Sequence, residues 1–346
     1  MFYCGIDIAS KSSYFFVTTK SGRRVASGEV ETTREAFESR LKRYVKNGLA
    51  VAIEAGNQTA WIYDVLVAIK AKVTVVNPTK VRMIAESVCK TDKIDAKTLA
   101  FLLRLNALPH PVHMPGKQAR ALRGLLVARR QLISARTKLC NVVRGMVRQE
   151  GTLLPARALS TQIGWKHLLE GGFNQPHLAT IVAAYFESFK TLTTSIRDID
   201  RELAECERQD TRAARLQTMP KVGRIAALTF LAAVDDPKRF PSARKLVGYS
   251  GLAPKVRSSG ARTEYGSITR AGRHELRGVW VQIAHLVAID NSRATQPLRT
   301  WFNRTAKRRG KKTATVALAR RLLVIAYHLL CDETVYDATR LKRRAA

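Results

Sequence analysis

Three β-forming runs in direct succession, followed by alternating helix and strand patterns, constrain the first hundred residues of this chain more tightly than any other feature. Phe2–Ile8 and Tyr14–Thr19 are aromatic and β-branched, separated by the short Ala9–Ser13 turn, and Ser21–Arg24 reads as a hairpin loop into a third strand, Val25–Glu31. Thr32 or Thr33 can N-cap an amphipathic helix that runs to about Lys46 and is stopped by Asn47-Gly48. Leu49–Glu54 is a compact strand, Thr59–Ile69 a helix and Lys72–Val76 a strand. Asn77-Pro78 opens a further helix, and Asp92 opens one that reaches about Asn106. Successive hairpins give antiparallel neighbours, whereas strands joined through helices return parallel. The order β-β-β-α-β-α-β-α therefore demands a mixed sheet with helices packed on it, an α/β domain.

That order is the order of the ribonuclease-H-like fold, in which the first and fourth strands lie side by side. Two acids end those strands: Asp7 in Cys4-Gly-Ile-Asp-Ile-Ala and Glu54 in Val51-Ala-Ile-Glu-Ala-Gly. A carboxylate in a buried strand is costly unless it stands at the strand end or faces a ligand. Asp92 and Asp95, in Lys90-Thr-Asp-Lys-Ile-Asp-Ala, are three apart on the first turn of a helix and project to one side. Singly, each acid has a plain structural account as a turn residue, a helix cap or an acid favoured by the helix dipole. Together, at places this fold brings close, they form a candidate metal site, with Lys90 and Lys93 interleaved to contact flanking phosphates.

The charge balance supports that reading. The chain carries 60 Lys+Arg against 27 Asp+Glu, a formal charge of +33, over 346 residues that are 46% hydrophobic. The hydrophobic content is that of a globular protein, and the length that of two or three domains. Such a charge directs the chain to nucleic acid, where Lys and Arg displace counterions from phosphates. Carboxylates gathered on that surface repel the same phosphates unless a cation stands between them. Mg²⁺, or Mn²⁺ in its place, is the ion that hard oxygen ligands and phosphates share. The longest clean apolar run, Ala226–Val234, is too short to span a bilayer, and the N-terminus lacks the basic segment of a signal peptide, so a cytoplasmic protein is expected. Five scattered cysteines have no metal-ligand spacing, and His110-Pro-Val-His113 sits in a Pro-rich stretch without a third ligand. Neither zinc nor a disulfide framework is indicated.

Leu108–Gly116, with three prolines, closes a first domain of residues 1–108. A long helix, Lys117 to about Gln149, carries Leu122, Leu125, Leu126, Leu132, Ile133, Leu139, Val142, Val143 and Met146 on its apolar side. Its other faces are almost wholly basic, Arg120, Arg123, Arg129 and Arg130 among them. A solvated face normally mixes signs, so a one-sign face suits a phosphate backbone. After a break at Gly151–Gln175, a second long helix, about His177–Arg215, completes a segment 117–215 that could form a helical hairpin or a dimerising coiled coil.

The remainder, 216–346, is mainly helical. Met219-Pro-Lys-Val-Gly223 resembles the helix-hairpin-helix turn, with Lys221 where the common form has glycine; a plain corner between helices is the alternative. The helix Arg224–Val234 follows, then Phe240–Gly251, an irregular Gly/Ser-rich loop Leu252–Gly272, a helix Glu275–Ile289, a basic stretch Arg304–Lys312 and a helix Thr313–Cys331. In the loop, Ser258, Ser259 and Gly260 stand among Lys255, Arg257, Arg262, Arg270 and Arg273. On physical grounds this is a nucleic-acid-contacting loop in which a serine is ordinarily a phosphate donor.

The blocks taken together resemble the Asp-Glu-Asp-Asp transposases of the insertion sequence 110 family, including its 1111-like subgroup. They are the Gly-Ile-Asp strand, the strand ending Ile-Glu-Ala, Lys-Thr-Asp-x-x-Asp-Ala, Met-Pro-x-Val-Gly, the Gly-Leu-Ala-Pro…Ser-Ser-Gly…Gly-x-Ile-Thr-x-x-Gly loop and the late Gly-Lys-Lys helix. The resemblance implies a RuvC-like N-terminal domain in which Asp7, Glu54, Asp92 and Asp95 bind Mg²⁺. It further implies a serine nucleophile, here Ser259 with Ser258 as its neighbour in register, a covalent phosphoserine link to DNA, and choice of both DNA partners by a structured noncoding bridge RNA. A dimer or tetramer is expected, since strand exchange needs at least two active centres. The two alternatives are a Mg²⁺-dependent structure-specific endonuclease with water as the attacking group and a non-catalytic nucleic-acid-binding protein whose acids are caps.

Overall fold

A computed structural model of the chain describes residues 1–82, 91–259 and 262–339. They form two compact units, Met1–Pro115 and Gly116 onward. The first contains β1 (Phe2–Asp7), β2 (Ser12–Thr19), β3 (Arg24–Glu31), α1 (Arg34–Val45), β4 (Leu49–Glu54), α2 (Thr59–Ala68), β5 (Lys72–Val76), α3 (Pro78–Arg82) and α4 (Asp92–Arg104). Its five strands lie in the order β3-β2-β1-β4-β5. The meander β1–β3 is antiparallel, and β4 and β5 run parallel to β1. This is the mixed sheet that the element order demands.

Strand alternation sorts the two faces of that sheet. Cys4, Ile6, Val51 and Ile53 share one core with Phe37 and Leu41 of α1 and Ile62 and Leu66 of α2. The fully buried Phe37, Leu41, Ile62 and Leu66 each stabilise the unit by about 1.5–3 kcal/mol. Thr33, rather than Thr32, caps α1, accepting from the Ala36 N–H at 3.3 Å. On the opposite face Ala52 packs with Leu99, and Phe16 with Ala96 and Ala100, so α4 covers that side. Gly5 is the closest point: a β-carbon there would stand 2.1 Å from the Ala96 carbonyl oxygen and 2.6 Å from the Ala100 nitrogen.

The second unit contains α5 (Lys117–Gln149), α6 (Gln162–Glu170), α7 (Pro176–Gln209), α8 (Thr211–Gln217), α9 (Arg224–Val234), α10 (Ala243–Ser250), β6 (Pro254–Ser259), β7 (Arg262–Ile268), α11 (His274–Ile289), α12 (Gln296–Arg309) and α13 (Lys311–Cys331). The long helices α5 and α7 pair antiparallel within the chain. Arg129 meets Asp200 at 2.6 Å, and Arg136 meets Thr193 and lies 5.8 Å from the Phe189 ring. Of the two arrangements open to this segment, the structure therefore forms the intrachain hairpin. Its far end is sealed by α6, whose Trp165 is fully buried, stacks on Phe186 at 5.7 Å and donates to the Leu159 carbonyl at 3.0 Å. Its near end joins a helical core in which Leu203 and Leu216 pack with Phe230, Trp280, Leu318 and Leu322.

Two expectations from the sequence are corrected here. The helix expected over His177–Arg215 is broken at Asp210, which has extended backbone angles and accepts from the Arg212 N–H at 3.0 Å, capping α8. The segment Leu252–Gly272, expected to be irregular, holds the antiparallel β6–β7 hairpin. Among the described residues α13 is long and apolar enough to cross a membrane, a helix longer than the run at Ala226–Val234. Over half of its apolar stretch is buried inside the unit, as befits a core helix.

Candidate active site

The register of the parallel pair carries the geometry. Phe2 pairs with Leu49 and so on to Ile6 with Ile53, so Asp7 and Glu54 stand on the next rung, side by side at the ends of β1 and β4. They share the parity of Gly5 and Ala52, which places both on the face that α4 covers. Both are half-buried, and they line a cleft of about 240 Å³ with Ser10, Asn57 and Gln58.

The direction of α4 brings the other two acids to the same end. Its last residue, Arg104, donates to the Lys20 carbonyl at 3.3 Å, in the β2–β3 loop beside the start of β1. Ala96 and Ala100 lie on Gly5, so α4 runs antiparallel to β1 and its first turn lies toward Asp7. Thr91 caps that turn, accepting from the Ile94 N–H at 3.3 Å, and Asp92 and Asp95 sit within it, exposed and half-buried respectively. The four carboxylates thus share one face and one end of the sheet. Among the described residues no three His, Cys, Asp or Glu side chains stand close enough to share a metal ion. The donor chemistry, all carboxylate oxygen, fits a hard divalent cation.

Sequence reasoning missed the residues that hold this end in place. The Thr59 hydroxyl accepts from Gly56 N–H at 2.7 Å and donates to the Glu54 carbonyl at 2.8 Å, closing the turn behind Glu54. Beyond Asp7, the Ala9 N–H donates to Ser13 at 3.3 Å, and Thr32 donates to the Ala9 carbonyl at 3.0 Å while bonding Ser13 at 2.8 Å. Gln58 reaches the same carbonyl at 3.4 Å. Hydroxyls clustered after strand ends are the signal that could have found them.

The expected serines lie on the β6–β7 hairpin. Ser258 is exposed and its backbone pairs with Thr263; Ser259, the last residue of β6, pairs with Arg262 through the backbone, and its side chain lies outside the described residues. The base of the hairpin is clamped. Gly251 (φ +72°) and Gly272 (φ +79°) occupy the left-handed region, where a β-carbon would lie 2.1 Å from the Ala271 oxygen and 1.9 Å from the Tyr249 oxygen. Arg277 donates to both the Ser250 and Arg270 carbonyls at 3.2 Å.

The expected cationic contacts divide. Lys93, Lys255, Arg257 and Arg270 are exposed. Lys90 and the side chain of Arg262 lie outside the described residues. Of the α5 arginines, three have partners within the second unit. Arg123 donates to the Ala232 and Ala233 carbonyls that end α9, and its burial, beside Arg273, lowers the guanidinium's pKa. Arg129 pairs with Asp200, and Arg130 faces Glu275 at 3.5 Å. Arg120 is half-buried. A free basic patch lies elsewhere: Arg304, Lys307, Arg308, Arg309, Lys311 and Lys312 are all exposed around the α12–α13 corner.

At the Met219–Gly223 turn, Lys221 itself adopts the left-handed conformation (φ +64°), filling the place where glycine is usual, and its ammonium lies 2.9 Å from Asp290. Hydrogen bonds from Ser292 and Lys221 hold the Asp290 carboxyl down, from 3.8 to about 2. A depressed carboxyl stabilises the fold above its unfolded value, and that contribution is lost as pH falls from about 4 through about 2. A side-chain carboxyl titration by NMR should place the Asp290 midpoint near 2 and higher in Lys221→Met.

Two transposase family models match the chain. That of the DEDD transposases of IS110 type covers residues 4–151, and that of the IS116/IS110/IS902 transposases covers residues 213–299. The transposase of insertion element IS1111A from Coxiella burnetii is 24% identical over 96% of this chain and 87% of its own length. A probable family 20 transposase of Pseudomonas aeruginosa is 26% identical, covering 71% of this chain and 75% of its own length. A pilin gene-inverting protein of Moraxella bovis is 28% identical, covering 77% of this chain and 74% of its own length.

Proposed function

We propose that this chain, which belongs to the insertion sequence 110 family of transposases, enzymes that cut and rejoin DNA, does so by serine transesterification with a divalent metal. The observation that carries this reading is the gathering of Asp7, Glu54, Asp92 and Asp95 on one face and at one end of the first sheet, in a chain of charge +33. When bound there, Mg²⁺ or Mn²⁺ supplies electrostatic stabilisation of the charge that develops at the phosphate. Asp7 and Glu54, side by side at the ends of adjacent strands, are the rigid part of the ligand set; Asp92 and Asp95 complete it from the helix.

The nucleophile is the Ser259 hydroxyl, with Ser258 as the alternative. Its oxygen forms a bond to phosphorus, the bond from phosphorus to the 3′-oxygen breaks, and the hydroxyl proton leaves with the 3′-hydroxyl. A free 3′-hydroxyl then attacks the partner strand's phosphoserine, restoring a phosphodiester and the serine without ATP. The relative named as inverting a pilin gene supports a reaction that preserves DNA ends. A structured guide RNA and a homo-oligomer complete the reading. The surplus of cations supports the first; the second follows from the need for paired strand exchange.

The test is a trap for the covalent intermediate. With Mg²⁺ and end-labelled element DNA, wild type should yield a protein–DNA adduct that survives denaturation. Ser259→Ala should abolish adduct and cleavage together, while Ser258→Ala retains both. The reverse pattern would reassign the nucleophile to Ser258. Cleavage at the normal rate without adduct in the double variant would make water the attacking group.

A further inference from the structure

Both faces of the β6–β7 hairpin lie in solvent: Lys255, Val256, Arg257 and Ser258 on one strand, and Glu264, Tyr265, Gly266 and Ser267 on the other, are exposed. Val256 and Tyr265 are direct cross-strand partners and are 53% and 73% exposed. A two-stranded hairpin uncovered on both faces is marginal in water, and an aromatic ring opposite a β-branched residue is a contact surface lacking its cover. The clamp at Gly251 and Gly272 holds the hairpin's base and leaves its strands to be covered by a partner.

The surroundings say what that partner is. Lys255 and Arg257 alternate with Val256 and so belong to the other face of the same strand, Arg270 follows β7, and all three are exposed. An exposed ring on one face of a narrow hairpin that carries exposed cations on the other suits an unpaired strand, the charges drawing in its backbone and the ring taking a base. A duplex keeps its bases stacked internally and offers the ring nothing. Ser258 stands two residues beyond Val256 and therefore on the same face of the strand, and its partner Thr263 is two residues before Tyr265.

We propose that Tyr265, backed by Val256, is a stacking platform for an unpaired DNA base next to the phosphate under attack. It is a positioning residue, and the proposal rests on the reading of this hairpin as the carrier of the nucleophile. Stacking there holds the strand open and in register with the serines.

The test measures binding by the full-length protein to a fluorescent oligothymidine strand and to a blunt DNA duplex at one salt concentration. Tyr265→Ala should weaken single-strand binding about tenfold, the loss of one stacked base, and leave duplex binding, which rests on phosphate contacts, within about twofold. Tyr265→Phe, which keeps the ring, should bind as wild type. An unchanged single-strand affinity overturns the proposal, as does an equal loss on duplex or a Phe variant that fails with Ala. A loss confined to single-stranded RNA, or a change of oligomeric mass without a change in DNA binding, assigns the ring to another partner and overturns it too. Because no cleavage is needed, this result stands apart from the adduct test: either can fail while the other succeeds.

Discussion

Replacement of Asp7 by asparagine is expected to reduce DNA strand cleavage by roughly 10³-fold without loss of the fold. The substitution keeps size and hydrogen-bonding shape and removes one negative charge. Metal-assisted stabilisation of a phosphoryl centre amounts to several kcal/mol, hence the three orders of magnitude. Asp7 is the position to change because it ends a strand pinned on both sides, to Tyr14 of β2 and next to Glu54 of β4, so the variant cannot relax to restore a ligand. Two measurements check the expectation. Calorimetric titration with Mn²⁺ should lose its heat of binding, and chelation of wild type with EDTA should reproduce the variant's defect. A melting temperature equal to wild type excludes unfolding as the cause. Cleavage and ion binding at wild-type levels would return the four acids to the role of turn and cap residues.

Gly5→Val is expected to unfold the first unit, costing about 3 kcal/mol or more. Overpacked cores ordinarily lose about 1–3 kcal/mol because side chains can shift. Here the obstacles are the Ala96 carbonyl oxygen and the Ala100 nitrogen, 2.1 Å and 2.6 Å from the new β-carbon, both backbone atoms of α4. They yield only if the helix lifts from the sheet. Thermal unfolding of the variant should show an early transition of the first unit, with the helical unit melting near its wild-type temperature, and trypsin should cut first within residues 1–115. A single unshifted transition would mean that α4 is free to move away from β1.

The sheet and its order were legible because each strand is bounded by its own punctuation: Asn47-Gly48 before Leu49, Ala9–Ser13 between the first two strands. The acids were legible because charge at the end of an apolar run stands out. What α4 does was not legible in advance. Its direction across the sheet depends on a glycine whose missing side chain is invisible to periodicity, and on an Arg104 contact with a carbonyl far away in sequence. The serine segment escaped for another reason. Its cations and glycines mask the alternation of Val256, Ser258, Thr263 and Tyr265, so a hairpin read as a loop. Likewise the one-sign face of α5 named candidates for phosphate contact, yet Arg123, Arg129 and Arg130 turn to carbonyls and carboxylates within their own unit. Composition counts charges, whereas only the fold tells which of them are already occupied.

The contact at Gly5 also acts as a fulcrum. With Ala96 and Ala100 held against the strand, the body of α4 cannot slide, and only its first turn, the stretch that carries Asp92 and Asp95, extends past the pivot. That arm is one helical turn, about 5.4 Å, so a tilt of about 20° carries its tip only about 2 Å. Asp7 and Glu54 therefore stand on the fixed part of this face, and any displacement of Asp92 and Asp95 relative to them is a short, bounded stroke.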